Sequence, residues 1–161
     1  MGILEIGVNI GNQNLLVVKF YSQEDLHQNE MLISFSALRH DFIVAINDLA
    51  KNVFGEELNA ISLSEYRLIY TSENVEDPYI QEKVPLICYA ITDNANHSNN
   101  DTEWIKKILS EVLKHFLSRY SLYTICSPGE VDFQKFEPRI FHIVGDSRFK
   151  IEETFKDIFR E

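Results

Sequence analysis

The sequence predicts an α+β domain, and three observations predict it. Met31, Phe35, Leu38, Phe42, Ile46, Leu49 and Val53 recur at steps of three and four, so they fall on one stripe of a helix. Leu4, Ile6, Val8 and Ile10 alternate with Glu5, Gly7 and Asn9, which is the period of a half-buried strand. Residues 15–21 and 84–91 are apolar almost throughout, the pattern of strands covered on both faces.

Taken in order, the first strand reaches Ile10, and Gly11-Asn12-Gln13-Asn14 supplies turn chemistry into the second, so residues 3–21 read as a hairpin. Residues 22–30 are polar and read as a loop or a poorly ordered helix start. The long helix then spans 31–54 and stops at Gly55, a residue suited to a C-terminal cap. Leu32, Ile43, Ala50 and Phe54 lie beside the main stripe, so the apolar arc covers close to half the circumference. Two readings of that flank stand open: a helix wedged deep in the core, or a helix that shows its flank to a partner.

Residues 60–63, 66–71 and 84–91 form a meander, with the acidic stretch 72–83 as a loop around Asp77-Pro78. Pro85 falls near a strand start, where a missing N–H is tolerated. Residues 92–101 are the most polar of the chain and read as an exposed loop. Thr102 is placed to cap a second helix, with Trp104, Ile105, Ile108, Leu109, Val112, Leu113, Phe116 and Tyr120 as its buried face. Ser127-Pro128-Gly129 is a turn, Phe133 and Phe136 stand one helical turn apart, and residues 140–144 suit strand or helix. Ile151, Phe155, Ile158 and Phe159 fall at helical spacing and predict a short terminal helix that must dock on something. The expected order is β-β-α-β-β-β-α-α, with residues 1–145 as the domain and 146–161 as a C-terminal helix packed on it or regulating it.

Composition narrows the function classes. A chain of 161 residues with 45% hydrophobic and 25% charged content has enough apolar surface for one core. Its formal net charge of −10 argues against a nucleic-acid backbone or an anionic membrane as the main partner. No continuous apolar run approaches the ~18 residues of a membrane span. Residues 1–5 carry no basic region or long apolar run, so a cytoplasmic protein is expected. Cys88 and Cys126 lack the paired spacing of a zinc site and read as core thiols of a reducing compartment.

Catalytic chemistry is not assembled in the sequence. Gly2, Gly7 and Gly11 open no helix, and no Gly-Lys-Ser/Thr follows a strand, so a nucleotide-cradling loop is not expected. Ser127 and Cys126 sit beside a turn and His142 lies further on, but nothing orders them as nucleophile and base. His40 and His115 fall on polar helix faces and read as solvated. Glu56-Glu57 and Glu152-Glu153 are adjacent and diverge, which makes them poor acid–base pairs. The expectation is a non-enzyme with no cofactor and no metal.

The opening hairpin, the helix running into Phe54-Gly55-Glu56-Glu57, the segment Tyr66-Arg67-Leu68-Ile69-Tyr70, the strand Leu86-Ile87-Cys88-Tyr89-Ala90-Ile91-Thr92-Asp93 and the helix from Trp104 together resemble the longin domain. The resemblance covers roughly residues 1–145. It is similar in particular to small longin-like proteins of archaea, related to trafficking and small-GTPase-regulating subunits. It implies a profilin-like, five-stranded antiparallel sheet, the first helix on one face and the later helices on the other. It also implies a partner surface made of the flank Leu32, Ile43, Ala50 and Phe54 with the short strand residues Ile61 and Leu63. The partner would be a small GTPase, another longin- or roadblock-like chain, or a second copy in a homodimer. The alternative is a small-molecule sensor of profilin-like fold, which needs a cavity lined by a few polar groups.

Overall fold

The structure, a computed structural model, describes residues 2–11, 13–20, 60–62, 66–93, 99–127, 129 and 131–146, with backbone alone for 60–62 and 99–101. Within these lie strands β1 (Ile3–Ile10), β2 (Gln13–Lys19), β3 (Ala60–Ser62), β4 (Tyr66–Asp77) and β5 (Glu82–Asp93). Helix α1 (Asn99–Arg119), the single turn α2 (Leu122–Ile125), a 3-10 turn (Phe133–Phe136) and helix α3 (137–146) follow. The fold is α+β, with one antiparallel sheet and helices. Four strands of seven to twelve residues, in the order β2-β1-β5-β4, form its body, and the three-residue β3 pairs with the outer side of β4.

The expected order β-β-α-β-β-β-α-α does not describe the chain after α1. Three helical pieces occupy 122–146, each with a local reason. Ser121 Oγ accepts from Thr124 N at 3.2 Å and caps α2, and Asp132 Oδ1 accepts from Gln134 N at 3.1 Å and caps the 3-10 turn. Pro138 falls in the first turn of α3, where its missing N–H costs nothing. Residues 140–144, suited to either structure by sequence, are helical. The long helix expected over 31–54 and the terminal helix expected from Ile151 lie outside the described residues.

β1 and β2 exchange the roles their patterns suggest. β1 sits inside the sheet between β2 and β5, and seven of its eight residues are buried, Glu5 and Asn9 included. β2 is an edge strand, and only Leu16 and Val18 are fully buried while Leu15 and Val17 are half-buried. Two irregularities shift the register. Ile3 pairs with Thr92 and Glu5 with Ile91, so Leu4 is an extra residue in β1. This bulge sends Leu4 to the face opposite Ile6, against the simple alternation. The acidic stretch 72–83 is not a loop: β4 runs to Asp77, β5 starts at Glu82, and a four-residue turn joins them, with Gln81 at φ 56. Val75 is the one buried side chain between Thr71 and Asp77, and Glu73, Asn74 and Glu76 are exposed on both faces, so the polar sequence disguises a paired strand.

One face of the sheet carries the larger core. Ile6, Val8 and Ile10 of β1, Leu86, Cys88 and Ala90 of β5 and Ile69 of β4 pack with Ile105, Ile108, Leu109, Val112, Leu113 and Phe116 of α1. The spacing of those α1 residues is that of one helix face, and Glu103, Lys107, Glu111 and Lys114 are exposed on the other. Trp104 is half-buried at the margin. The helix starts at Asn99, which puts Thr102 inside the first turn rather than at the cap. Phe116 anchors an aromatic cluster, its ring centroid 5.6 Å from Phe133, 5.3 Å from Phe136 and 4.9 Å from Tyr120. The 3-10 turn rests on β2: Gln134 Nε2 donates to Val17 O at 2.9 Å and so satisfies a carbonyl on the open edge of the sheet.

Candidate functional site

Of the six residues expected at a partner surface, Leu32, Ile43, Ala50, Phe54 and Leu63 lie outside the described residues. Ile61 is on β3, where its backbone stands opposite Leu68 of β4, and Leu68 in turn stands opposite Ile91 of β5. That row places the Ile61 backbone at the outer edge of the sheet, beyond Leu68.

The second face differs chemically from the first. Tyr66, Leu68 and Tyr70 of β4 and Ile87, Tyr89 and Ile91 of β5 form its apolar cluster, each 6% exposed or less, with Leu4 packed against them. None of the described helices contributes to that cluster. Glu5, Gly7 and Asn9 lie on the same side, because Glu5 pairs with Ile91, Gly7 with Tyr89 and Asn9 with Ile87. Glu5 is 1% exposed and Asn9 is 0% exposed.

A glycine makes room for this arrangement. A Cβ on Gly7 would fall 2.3 Å from Cζ and the hydroxyl of Tyr89, far inside contact distance. The Tyr89 ring therefore lies flat over the β1 backbone at Gly7, and its hydroxyl reaches on to donate to Glu5 Oε2 at 3.2 Å. A carboxylate removed from water needs donors, and Tyr89 brings one from the neighbouring strand. Asn9 Oδ1 accepts from Asn14 Nδ2 at 2.7 Å, and that amide also reaches Leu16 O at 3.3 Å. Asn9 Nδ2 has no hydrogen-bond partner among the described residues. Sequence reading placed Glu5 and Asn9 on the polar side of a half-buried strand. The available signal was Gly7 midway between them, a residue with no side chain at the centre of a strong strand.

Cys126 is the C-cap residue just after α2, and burial first, then the nearby Asp77 carboxylate, pushes its thiol up. Both effects suppress the thiolate, the reverse of nucleophile activation. Burial alone pushes the Cys88 thiol up. His142 Nε2 lies 3.2 Å from Asp146 Oδ2 and His115 Nε2 lies 3.6 Å from Glu111 Oε2, each one turn along its own helix. Among the described residues no three His, Cys, Asp or Glu side chains are grouped to hold a metal, and no helix is long and apolar enough to cross a membrane.

No family model matches the chain, and no curated protein matches it. What can be said of its class rests on the fold: an α+β protein with helices packed on one face of an antiparallel sheet and a tyrosine-rich second face.

Proposed function

We propose that the chain is a non-catalytic interaction module of longin type that scaffolds small-GTPase regulation or a trafficking-like complex in the cytoplasm. The observation that carries this reading is the asymmetry of the sheet. Every described helix that packs on it lies on one face, yet the second face is buried to 6% exposure or less. In the proposed plan, the amphipathic stretch 31–54 covers that face, and the sheet lies between one long helix and the C-terminal helices. Its main stripe, from Met31 to Val53, then meets Leu68, Tyr70, Tyr89 and Ile91. The flank Leu32, Ile43, Ala50 and Phe54 is left beside the β3 end, continuous with Ile61 and Leu63. A patch of that composition at a short edge strand suits docking of another chain.

The test is capture of purified, tagged protein with candidate small GTPases and longin-like chains, alongside Phe54→Glu. Complex formation by wild type and its loss in a variant with an unchanged melting temperature supports the module. Unfolding of Phe54→Glu returns the flank to the core and removes the proposed surface.

A further inference from the structure

We propose that the outer face of the C-terminal helices binds the phosphoryl group of a small soluble ligand. Two adjoining clefts open there, of about 350 Å³ and about 250 Å³, and Arg119 and Arg139 line both. Lys135, Pro138 and His142 complete the described lining of the larger cleft, and His115, Ser118 and Phe136 that of the smaller. Among the described residues no carboxylate lines either one. The chain has 25 acidic and 15 basic side chains, so such a concentration of cations runs against its composition. Lys135 and Arg139 have no ion-pair partner among the described residues, while Glu111 and Asp146 are engaged by His115 and His142.

The larger cleft is also organised in advance. Arg119 Cζ lies 5.5 Å from the ring centroid of Tyr120 and 5.9 Å from that of Phe136. Two ring faces within 6 Å favour a cation at this place, and the guanidinium brings a fork of donors for an oxyanion. Those rings are themselves held in the cluster around Phe116. Arg119, Arg139 and Lys135 in one hollow match the charge and donor number of a phosphoryl or pyrophosphoryl group better than a lone carboxylate. An extended polyanion would meet the field of a chain with net charge −10. A small ligand sits within a Debye length of the clefts' own cations and is shielded from most of that field.

Isothermal titration calorimetry of the full chain with inorganic pyrophosphate, at about 0.15 M salt, tests the site. Saturable binding at one site per chain is expected, weakened about tenfold by Arg139→Gln and again by Lys135→Gln. Both side chains are exposed, so circular dichroism should show the fold retained. Arg119→Lys keeps the charge but loses the planar fork, and it should also weaken binding. Lys106→Gln, which alters an α1 lysine outside the clefts, should leave binding unchanged. Any of three results overturns the proposal: no saturable heat, equal heat from wild type and the double Lys135→Gln, Arg139→Gln variant, or a response only to vesicles containing phosphoinositide.

Discussion

One face of the sheet presents Ile6, Val8, Ile69, Leu86 and Ala90 to helices that the chain itself lays over it; the other presents Tyr66, Tyr70 and Tyr89 beside a buried glutamate and asparagine. Branched aliphatic side chains interlock with a helix ridge and need nothing but close packing. Tyr89 brings a hydroxyl that donates to Glu5, so the second face is held there by a hydrogen bond as well as by volume. The same sheet thus carries a face specified by shape and a face specified in part by polar geometry.

The largest expected effect breaks the first face. Phe116→Ala removes a ring with 0% exposure from the centre of the aromatic cluster and should cost about 4 kcal/mol, read by urea unfolding. Gly7→Ala comes next and strikes the second face without removing an atom. The added methyl overlaps the Tyr89 ring, which must lift and give up Glu5, at a cost of about 1–3 kcal/mol. A double-mutant cycle of Gly7→Ala with Tyr89→Leu should show strong coupling, since the clash needs both partners. Additive costs would mean that the strain at Gly7 lies elsewhere.

Tyr89→Phe keeps the ring and removes one donor to Glu5, for about 1–2 kcal/mol. A cost near zero would mean that the second face is held by packing alone, as the first is. The thiols sharpen the contrast between core and rim. Cys126 should alkylate in the native protein and Cys88 only on unfolding, because Cys88 has 0% exposure. Burial holds the Cys88 pKa above that of the unfolded thiol, so the unfolded state loses its proton first as pH rises. Stability supported by the buried neutral thiol is therefore complete below about pH 8.5 and declines above it. Asp77→Asn should lower the Cys126 pKa and speed its alkylation near neutral pH. The smallest effect is expected of Gln134→Ala, which frees an edge carbonyl on β2 that water can reach, at about 0.5–1 kcal/mol.

Much of the helix-covered face was legible in the sequence, because α1 buries residues at 3.6-residue spacing and β5 is apolar on consecutive positions. What a local pattern does not carry is neighbourhood. β1 alternates yet lies between two strands, and β2, apolar on four consecutive positions from Leu15 to Val18, lies at an edge. The bulge at Leu4 and the pairing of Gly7 with Tyr89 depend on which residue of β5 stands opposite, a fact of register. Glu5 and Asn9 therefore read as solvent-facing until that register is known. The cation cluster was hidden for the same reason: Arg119 lies on α1 and Arg139 on α3, and the turns at Ser121 and Asp132 bring them together. Of the expected partner residues, Ile61 alone is among the described residues, at the end of the row that runs through Leu68 and Ile91.

The pairing of β1 with β5 also sets a timetable. Glu5 and Tyr89 touch across 84 positions of chain. At a synthesis rate of ~5–20 residues per second, the first hairpin waits roughly ten seconds for the strand that will flank it. Throughout that interval the β1 edge that β5 will occupy is unpaired, with Ile6, Val8 and Ile10 along it. The nascent chain is therefore most exposed to wrong pairing before residue 93 has left the ribosome. Refolding of the finished chain must likewise close a long loop before the central ladder can form, a cost set by topology.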